Sequence, residues 1–433
     1  MRQPRRRFNP LKTLFFLAVI SFLVYVNIIV EPLSETIFLP SPTPTVSPET
    51  IIAEAEALAN EGKYALALQV YSQAIMADPQ NSALYISAAR LHIYRGEYEE
   101  AIENASNALL LNQSSSMGEA LKGFASGMLG QYLEAEGSLD RAIELDPSNS
   151  SAYAYLAIIL SNKIQENEFV LGDLDRAIEA SRTAESIAPS EIETHWARAV
   201  VLENTQNNQE AVDELLKAIA INSNIADLHL ILGRNYRALT DYDLAVEEYT
   251  RANALNPGSS LPELYISRVY FNIGEYDRAI QYAEQAVADS PEDPYLYGNL
   301  GVAYRKNYEL DKALLILDLA VRGGQTPEGV LVEGIPINYG RPVEFYYMYG
   351  FTLADLGYCN DAVDIAQTIL LTMDDDETAV WNANEILNDC YEQLNDRQIS
   401  KLPAPTPIPT WTPRPSPTPT LMPTQEPSPT PVQ

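Results

Sequence analysis

The sequence predicts an all-α protein made of stacked helix pairs, and two observations lead to that prediction. The first is a period of 34 residues, which separates Tyr64, Tyr98 and Tyr132 and recurs between Ala211 and Ala245. The second is the pattern inside each period, where two stretches of helical apolar spacing are split by a short turn. One helix pair cannot bury its apolar face alone, so neighbouring pairs must stack into a continuous core.

Each element of the repeated unit follows from local chemistry. The glycine in the turn, as in Gly62 before Tyr64, permits the positive φ that ends the first helix. Alanines seven residues apart on the second helix, such as Ala67 and Ala74, share one face and admit the neighbouring helix. A proline such as Pro79 then ends the second helix, because proline cannot continue it.

The stretch that begins at Leu228, LHLILGRNYRALTDYDLAVEEYTRANALNP, resembles the tetratricopeptide repeat family. The matching positions are Leu232, Gly233, Tyr236, Tyr242, Ala245, Tyr249, Ala252 and Pro257. The resemblance covers residues 50–395 as about nine repeats and implies a right-handed superhelix of paired helices. It also implies that the chain is a membrane-anchored protein of bacterial type that binds proteins or peptides on its concave surface.

The repeat pattern is interrupted by two insertions. Extra residues near 162–173 predict a longer helix or loop in the fourth repeat. A glycine- and proline-rich stretch at 323–342 predicts a surface insertion, or alternatively a segment that folds into the groove. The amphipathic segment 377–394 is followed by no partner helix and is expected to cap the array.

The N-terminal region predicts a membrane anchor. Residues 1–12 are basic and expected in the cytoplasm, and Thr13–Val30 follows as eighteen residues without a charge. A helix of that length spans about 27 Å, close to the apolar thickness of a bilayer. The basic flank orients the remaining chain, including a proline-rich stalk at 31–49, outside the membrane. The alternative is a cleaved signal peptide and a secreted protein.

Composition excludes several classes of function. The net charge of −31 repels phosphate backbones, so nucleic acid is not expected as a partner. Two cysteines and three histidines are a small supply for a metal site or for acid–base catalysis. Phosphate-binding loops and nucleophile motifs are also missing from the sequence. The sequence therefore predicts no catalytic residues, metal, cofactor or small-molecule substrate.

The family resemblance implies which side chains face the concave surface. Transferring the family's inward positions to this sequence brings basic and aromatic residues together on repeats six to eight. The predicted partner-binding residues are Arg234, Arg237, Tyr265, Arg268, Phe271, Asn299, Arg305 and Lys306. Such a set suits a protein or peptide with acidic or C-terminal carboxylate groups, although the family's Lys–Asn clamp order is not reproduced. The alternative is that these arginines pair with inward acids such as Asp227 or Glu263.

Earlier repeats place more apolar residues on the predicted inner surface. These residues are Ile86, Phe124, Met128 and Tyr155. They either form a surface for a partner helix or belong to the core of the array.

The two cysteines fall on helices that are expected to be antiparallel neighbours. Cys359 opens the second helix of the last repeat, and Cys390 lies near the end of the capping helix. The sequence therefore predicts either a disulfide in an oxidising compartment or two buried thiols. A Cα separation above about 7 Å would exclude the bridge.

The C-terminal segment 396–433 is rich in proline and threonine and is predicted to be a disordered, extended tail. Three hypotheses for function follow from the whole chain. The first is a membrane-anchored scaffold that binds partners in the groove of the superhelix. The second is an envelope tether or spacer that acts through the tail. The third is a non-catalytic accessory subunit of an envelope or secretion enzyme complex.

Overall fold

The computed structural model describes residues 10–25, 47–166 and 168–391. The predicted tail, most of the stalk and residues 1–9 lie outside these ranges. The first helix, α1, is Pro10–Tyr25 and covers the larger part of the predicted anchor Thr13–Val30; residues 26–30 are outside the described chain. Within the described residues, no helix is both long enough and apolar enough to cross a membrane.

From Pro48 onward the described chain is nearly all-helical, as predicted, and consists of nine helix pairs and one final helix. The pairs, numbered repeats 1 to 9, are α2 Pro48–Asn60 with α3 Tyr64–Ala77, α4 Ser82–Arg95 with α5 Tyr98–Leu111, α6 Ser116–Met128 with α7 Tyr132–Leu145, α8 Ser150–Gln165 with α9 Asp173–Ile187, α10 Ile192–Asn204 with α11 Asn208–Ile221, α12 Ala226–Ala238 with α13 Tyr242–Leu255, α14 Leu261–Asn272 with α15 Tyr276–Asp289, α16 Pro294–Lys306 with α17 Leu310–Arg322, and α18 Arg341–Asp355 with α19 Cys359–Thr372. The final helix, α20, is Glu377–Tyr391.

The turn inside each pair requires a left-handed residue. Gly62 and Gly96 both have a φ of 74°, and Gly96 closes α4 through backbone hydrogen bonds to His92 and Ile93. Tyr308 takes the same conformation at a φ of 61° where the repeat lacks glycine. At Gly62 a side chain is excluded for a second reason, since its Cβ would collide with the side chain of Asn224.

Small residues set the distance between neighbouring helices. The periodic alanines of the second helices, Ala67 and Ala74 among them, are fully buried. A Cβ on Gly233 would lie 2.6 Å from the ring of Tyr249. The core is therefore packed through matched small and aromatic side chains, and enlarging one of them would push two helices apart.

The insertion after α17 is a packed hairpin rather than the plain surface loop that its glycines and prolines indicate. Strands β1 Gly323–Gln325 and β2 Leu331–Glu333 pair antiparallel, with Gly324 opposite Val332. Val332 and Ile335 are buried, and the Tyr346 hydroxyl donates to the Ile335 carbonyl at 2.9 Å. Val332 and Ile335 therefore anchor the hairpin to the core between α17 and α18, while most of its other residues are exposed at the surface.

The first five or six repeats wind into a turn that contacts itself. The Tyr64 hydroxyl of repeat 1 donates to Asn222 at 2.8 Å, and the Tyr98 hydroxyl of repeat 2 donates to Asp227 at 2.5 Å. These contacts join residues that are 158 and 129 positions apart in the chain. We call repeats 1 to 6 the closed turn.

Aromatic side chains fill the inside of the closed turn. The rings of Phe124 and Tyr155 are 4.4 Å apart, and those of Phe124 and Trp196 are 5.4 Å apart. Phe124 and Tyr155 are fully buried, whereas Ile86 and Met128 are half-buried. Of the two interpretations of the apolar inner surface, membership of the core is therefore the correct one for Phe124 and Tyr155.

The final helix is fastened to repeat 9 by a covalent bond. Cys359 at the start of α19 and Cys390 near the end of α20 form a disulfide, with their Cα atoms 5.3 Å apart. Both cysteines are buried. The bridge joins the last repeat to the helix that covers its otherwise open face.

Candidate functional site

Two of the predicted groove arginines are already paired with acids. Arg234 on α12 donates from Nε and Nη2 to both carboxylate oxygens of Glu203, at 3.0 and 2.7 Å. Arg305 on α16 donates to Asp355 at 2.7 Å. The alternative of internal pairing therefore applies to these two arginines. The acids that pair with them are Glu203 and Asp355, and not the Asp227 and Glu263 that the sequence suggested.

Asp227 and Glu263 have other partners in the structure. Asp227 accepts from the Tyr98 hydroxyl, and Glu263 accepts from the Asn253 side chain. Neither acid therefore neutralises an arginine of the groove by direct contact.

Arg237 and Arg268 both lie close to the ring of Tyr265. The guanidinium carbons of Arg237 and Arg268 are 5.9 and 5.5 Å from the centre of the Tyr265 ring, which itself stacks on Tyr249 at 5.3 Å. Arg268 Nε donates to the Asn299 amide oxygen at 3.2 Å. Across the described ranges, neither arginine forms an ion pair with a carboxylate.

A third arginine, Arg341, joins this site although it is not among the residues predicted from the repeat positions. It opens α18, donates to Glu344 at 2.6 Å, and lines a small hollow with Arg268, Phe271 and Asn299. Arg341 follows the hairpin insertion and lies outside the 34-residue period, so the repeat register could not locate it. We call Arg237, Arg268 and Arg341 the arginine cluster.

The environment of Arg268 disfavours its charge. Burial, followed by the nearby charges of Arg341 and Arg237, lowers the pKa of Arg268 to about 10. Arg268 stays protonated at neutral pH, but its charge is insufficiently compensated. An anion placed between the three guanidinium groups would remove this repulsion.

The remaining predicted residues divide between the arginine cluster and its surroundings. Asn299 is nearly buried, and its amide nitrogen donates to the Tyr295 carbonyl at 2.7 Å, which fixes its oxygen toward Arg268. Phe271 is half-buried against Tyr276 at 5.5 Å. Lys306 is exposed at the end of α16. The structure thus brings Arg237, Tyr265, Arg268, Phe271 and Asn299 together, whereas Arg305 is paired with Asp355 and Lys306 is exposed.

Each of the three histidines makes a hydrogen-bond contact with a glutamate. His92 contacts Glu97 at 2.7 Å, and His195 and His229 contact glutamates of their own repeats at 2.6 Å. Among the described residues, no group of three or more potential ligands is placed to hold a metal ion. The chemistry that the site offers is recognition of an anion by guanidinium groups, which grip carboxylates through paired hydrogen bonds.

Comparison with known proteins identifies the family. Profiles described as tetratricopeptide repeat match residues 58–122, 138–179, 226–259 and 266–328. These segments fall within the helix pairs of the structure, and the chain belongs to the tetratricopeptide repeat family.

Individual relatives share only part of their length with this chain. A Plasmodium falciparum protein named Hsp70-Hsp90 organising protein is 27% identical over 173 residues, which are 40% of this chain and 62% of that protein. A rice protein named SGT1 homolog is 32% identical over 96 residues, 22% of this chain and 26% of its own length. The crystal structure of yeast Tom70 aligns with 80% of this chain and 90% of its own at 14% identity and a TM-score of 0.42.

Proposed function

We propose that this protein is an interaction scaffold that holds an acidic, extended segment of a partner protein on the inner surface of repeats 6 to 9. The observation that carries the proposal is the arginine cluster. Arg268 is half-buried beside two further arginines, and no described carboxylate pairs with it. Leaving a charge of this kind uncompensated is costly, so a ligand that compensates it gains affinity.

The charge of the whole chain supports the same ligand class. With a net charge of −31, most of the surface repels an acidic segment, and the arginine cluster is a local exception. Attraction at one place and repulsion elsewhere fixes where and in which register a ligand binds. The aromatic faces of Tyr265 and Phe271 offer stacking surfaces for the apolar parts of the same segment.

The family supports binding without catalysis. The Plasmodium relative is named as an organising protein, which is a scaffolding role. Stacked repeats present a long inner surface, and such a surface suits an extended segment with several weak contacts.

The test is a titration of fluorescein-labelled dodecapeptides by fluorescence anisotropy. We expect an aspartate- and glutamate-rich peptide to bind the wild-type chain, and a lysine-rich peptide of equal length not to bind. Arg268→Glu should weaken the acidic peptide at least tenfold. The matched control is Arg182→Glu on α9, an equal charge change at an exposed position distant in sequence from the arginine cluster. Equal affinity of wild type and Arg268→Glu would overturn the proposal.

A second comparison separates terminal from side-chain carboxylates. The same acidic peptide is titrated with a free and with an amidated C-terminus. A loss of affinity on amidation assigns the arginine cluster to a terminal carboxylate, and equal affinity assigns it to acidic side chains. Both results require the arginine cluster and keep the proposal.

The proposed location is the outer side of the cytoplasmic membrane, with Thr13–Val30 as a single-pass anchor and the N-terminus in the cytoplasm. The support is the uncharged run with its basic flank and the Cys359–Cys390 disulfide, which is typical of oxidising compartments. The proposed location is tested by alkylating the free thiols of intact cells before lysis and then determining the oxidation state of the two cysteines. An oxidised pair in the membrane fraction is expected, and fully reduced cysteines in the soluble fraction would contradict it.

A further inference from the structure

A cavity of about 310 Å³ lies inside the fold, between the closed turn and repeat 7. Its floor is buried and formed by Gly127, Ile158, Trp196 and Ile231. Its lining also includes the exposed residues Gln165 and Leu261, so the cavity opens to solvent on that side. Its volume is at the lower end of the range for small ligand pockets, roughly 300–1,000 Å³.

The floor contains a polar group without a partner. Trp196 is 1% exposed, and its indole Nε1 has no hydrogen-bond partner among the described residues. A buried donor left unpaired costs about 1–3 kcal/mol, so such groups are rare in folded proteins. This nitrogen has almost no accessible area, so it lies beneath the surface of the floor, and the ring reports on the cavity through its packing and not through a hydrogen bond to a ligand.

The charged residues that line the cavity are engaged with other protein groups. Arg234 is paired with Glu203, and Asp227 accepts from Tyr98. Glu166 at the rim is held by the hydroxyl of Tyr132. No lining arginine is therefore free for an anion, and the apolar floor favours an uncharged, apolar occupant.

The cavity is continuous with the arginine cluster through one side chain. Tyr265 lines the cavity, and the guanidinium carbons of Arg237 and Arg268 are 5.9 and 5.5 Å from the centre of its ring. An extended peptide advances roughly 3.3 Å per residue, so a side chain in the cavity and an acid at the arginine cluster are a few residues apart in one segment.

We infer that the cavity receives one apolar side chain of leucine-like size from the acidic partner segment. The inference rests on the proposed function, because the partner is the same segment. It specifies that partner as one with an apolar residue within a few positions of its acidic residues. The cavity then supplies specificity, while the arginine cluster supplies charge attraction.

The first test does not depend on the arginine cluster. The background Trp381→Phe with Trp411→Phe leaves Trp196 as the only one of three tryptophans, so its indole N–H gives a single nitrogen-15 correlated NMR signal. We expect millimolar N-acetyl-leucinamide to shift this signal and N-acetyl-alaninamide to shift it little. An unmoved signal with both probes would overturn the inference, whatever the acidic peptides do.

Matched variants control for non-specific effects. Leu261→Tyr narrows the mouth of the cavity, and Leu244→Tyr makes the same change at a leucine that is also 43% exposed but does not line it. We expect Leu261→Tyr to reduce the leucinamide shift at least fivefold and Leu244→Tyr to leave it unchanged. Equal reduction by both variants would count against the cavity as the site. Melting temperatures within a few degrees of wild type show that both variants fold.

The second test links the cavity to the segment. Acidic peptides carry either leucine or alanine one to four residues from an aspartate pair. For at least one spacing, the leucine peptide should bind wild type at least tenfold tighter, and Leu261→Tyr should abolish that advantage while the alanine peptide binds as before. Equal binding of leucine and alanine peptides at every spacing would overturn the inference and leave the proposed function intact. Failure of all acidic peptides would refute the proposed function and, with it, the acidic segment as the occupant of the cavity, while the leucinamide shift would still report on the cavity separately.

Discussion

The hydroxyl of Tyr98 on α5 donates to the carboxylate of Asp227 on α12 at 2.5 Å, across 129 residues of chain. This contact connects repeat 2 with repeat 6 and fastens the closed turn. The Tyr94 hydroxyl makes a similar contact with Glu193 at 3.1 Å. Because aromatic side chains occupy much of the inside of the closed turn, we expect an extended ligand to run along the inner surface of repeats 6 to 9 and to meet the closed turn at the cavity beside repeat 7.

Removing the Tyr98 hydroxyl should destabilise the closed turn. Tyr98→Phe leaves the Asp227 carboxylate without its donor in a half-buried place, and we expect a loss of about 1–2 kcal/mol in the free energy of unfolding. Chemical denaturation measures it. Tyr85→Phe, whose long 3.4 Å contact to the Pro79 carbonyl is exposed, is the control and should change little. Equal effects of the two substitutions would argue against this contact as a fastening.

The same pair predicts a dependence of stability on pH. Burial raises the pKa of Asp227, and the hydrogen bond from Tyr98 opposes that rise only in part. A raised pKa in the folded state means that the favourable contribution is present at low pH and is lost as pH rises through that pKa. Asp227→Asn should therefore gain stability relative to wild type between pH 4 and pH 7. A constant difference across that range would contradict the burial effect.

For Asp173 we expect the opposite dependence of stability on pH. Burial acts to raise its pKa, but the backbone N–H of Val170 and the ammonium of Lys163 more than offset it, and the net pKa of Asp173 is lowered. Its contribution to stability is present above the unfolded pKa of about 3.9 and is lost as pH falls through the lower folded value.

Asp173→Asn should accordingly cost about 2 kcal/mol at pH 7, because Lys163 and Arg176 lose a partner that is 1% exposed. The cost should shrink as pH falls below about 4. Thermal unfolding from pH 7 to pH 2.5 checks it. Asp175→Asn, an exposed acid on the same helix, should have little effect at any pH.

Arg268 predicts a conflict between stability and binding. Because burial and two neighbouring arginines lower the pKa of Arg268, its charge destabilises the unliganded fold. Arg268→Met should stabilise the free protein by about 1 kcal/mol while abolishing binding of the acidic peptide. The melting temperature and the anisotropy titration are measured on the same preparation. A variant that is less stable and still binds would contradict the uncompensated charge.

The disulfide predicts a local gain in stability. Cys359 and Cys390 are separated by 31 positions, and a loop of that size corresponds to about 3–4 kcal/mol in the chain-entropy model. Cys359→Ser with Cys390→Ser should therefore speed hydrogen exchange in α19 and α20 and leave α4 unchanged. Uniformly faster exchange throughout the array would contradict a local role.

The periodic positions made the fold predictable from the sequence. The features that were not predicted depend on contacts between repeats that are far apart in the chain. Ala67, Ala74 and Gly62 each perform locally the role that their spacing indicates. The contact between Tyr98 and Asp227 depends on the pitch of the superhelix, which no local pattern encodes. For the same reason the burial of Phe124 and Tyr155 could not be decided from the sequence.

The sequence predicted which residue types line the candidate site, but it did not predict which acids pair with its arginines. The inner positions grouped Arg237, Tyr265, Arg268 and Asn299, which lie close together in the structure, and their role in binding stays a prediction. The acids that neutralise Arg234 and Arg305 lie on neighbouring inner helices. Each occupies a repeat position that carries an acid in that one repeat and other residue types in the remaining repeats. A position occupied by an acid in one repeat leaves no periodic signal, so its pairing emerges only from the structure.

The most direct test of the central claim is to map where an acidic ligand lies on the chain. An acidic dodecapeptide with a photoreactive benzoylphenylalanine is cross-linked to the full chain, and the joined residues are located by mass spectrometry. We expect cross-links on α12, α14, α16 and α18 around Tyr265 and Asn299, and we expect these cross-links to disappear in Arg268→Glu. Cross-links concentrated on the outer helices, such as α9 or α13, and unaffected by Arg268→Glu would contradict it.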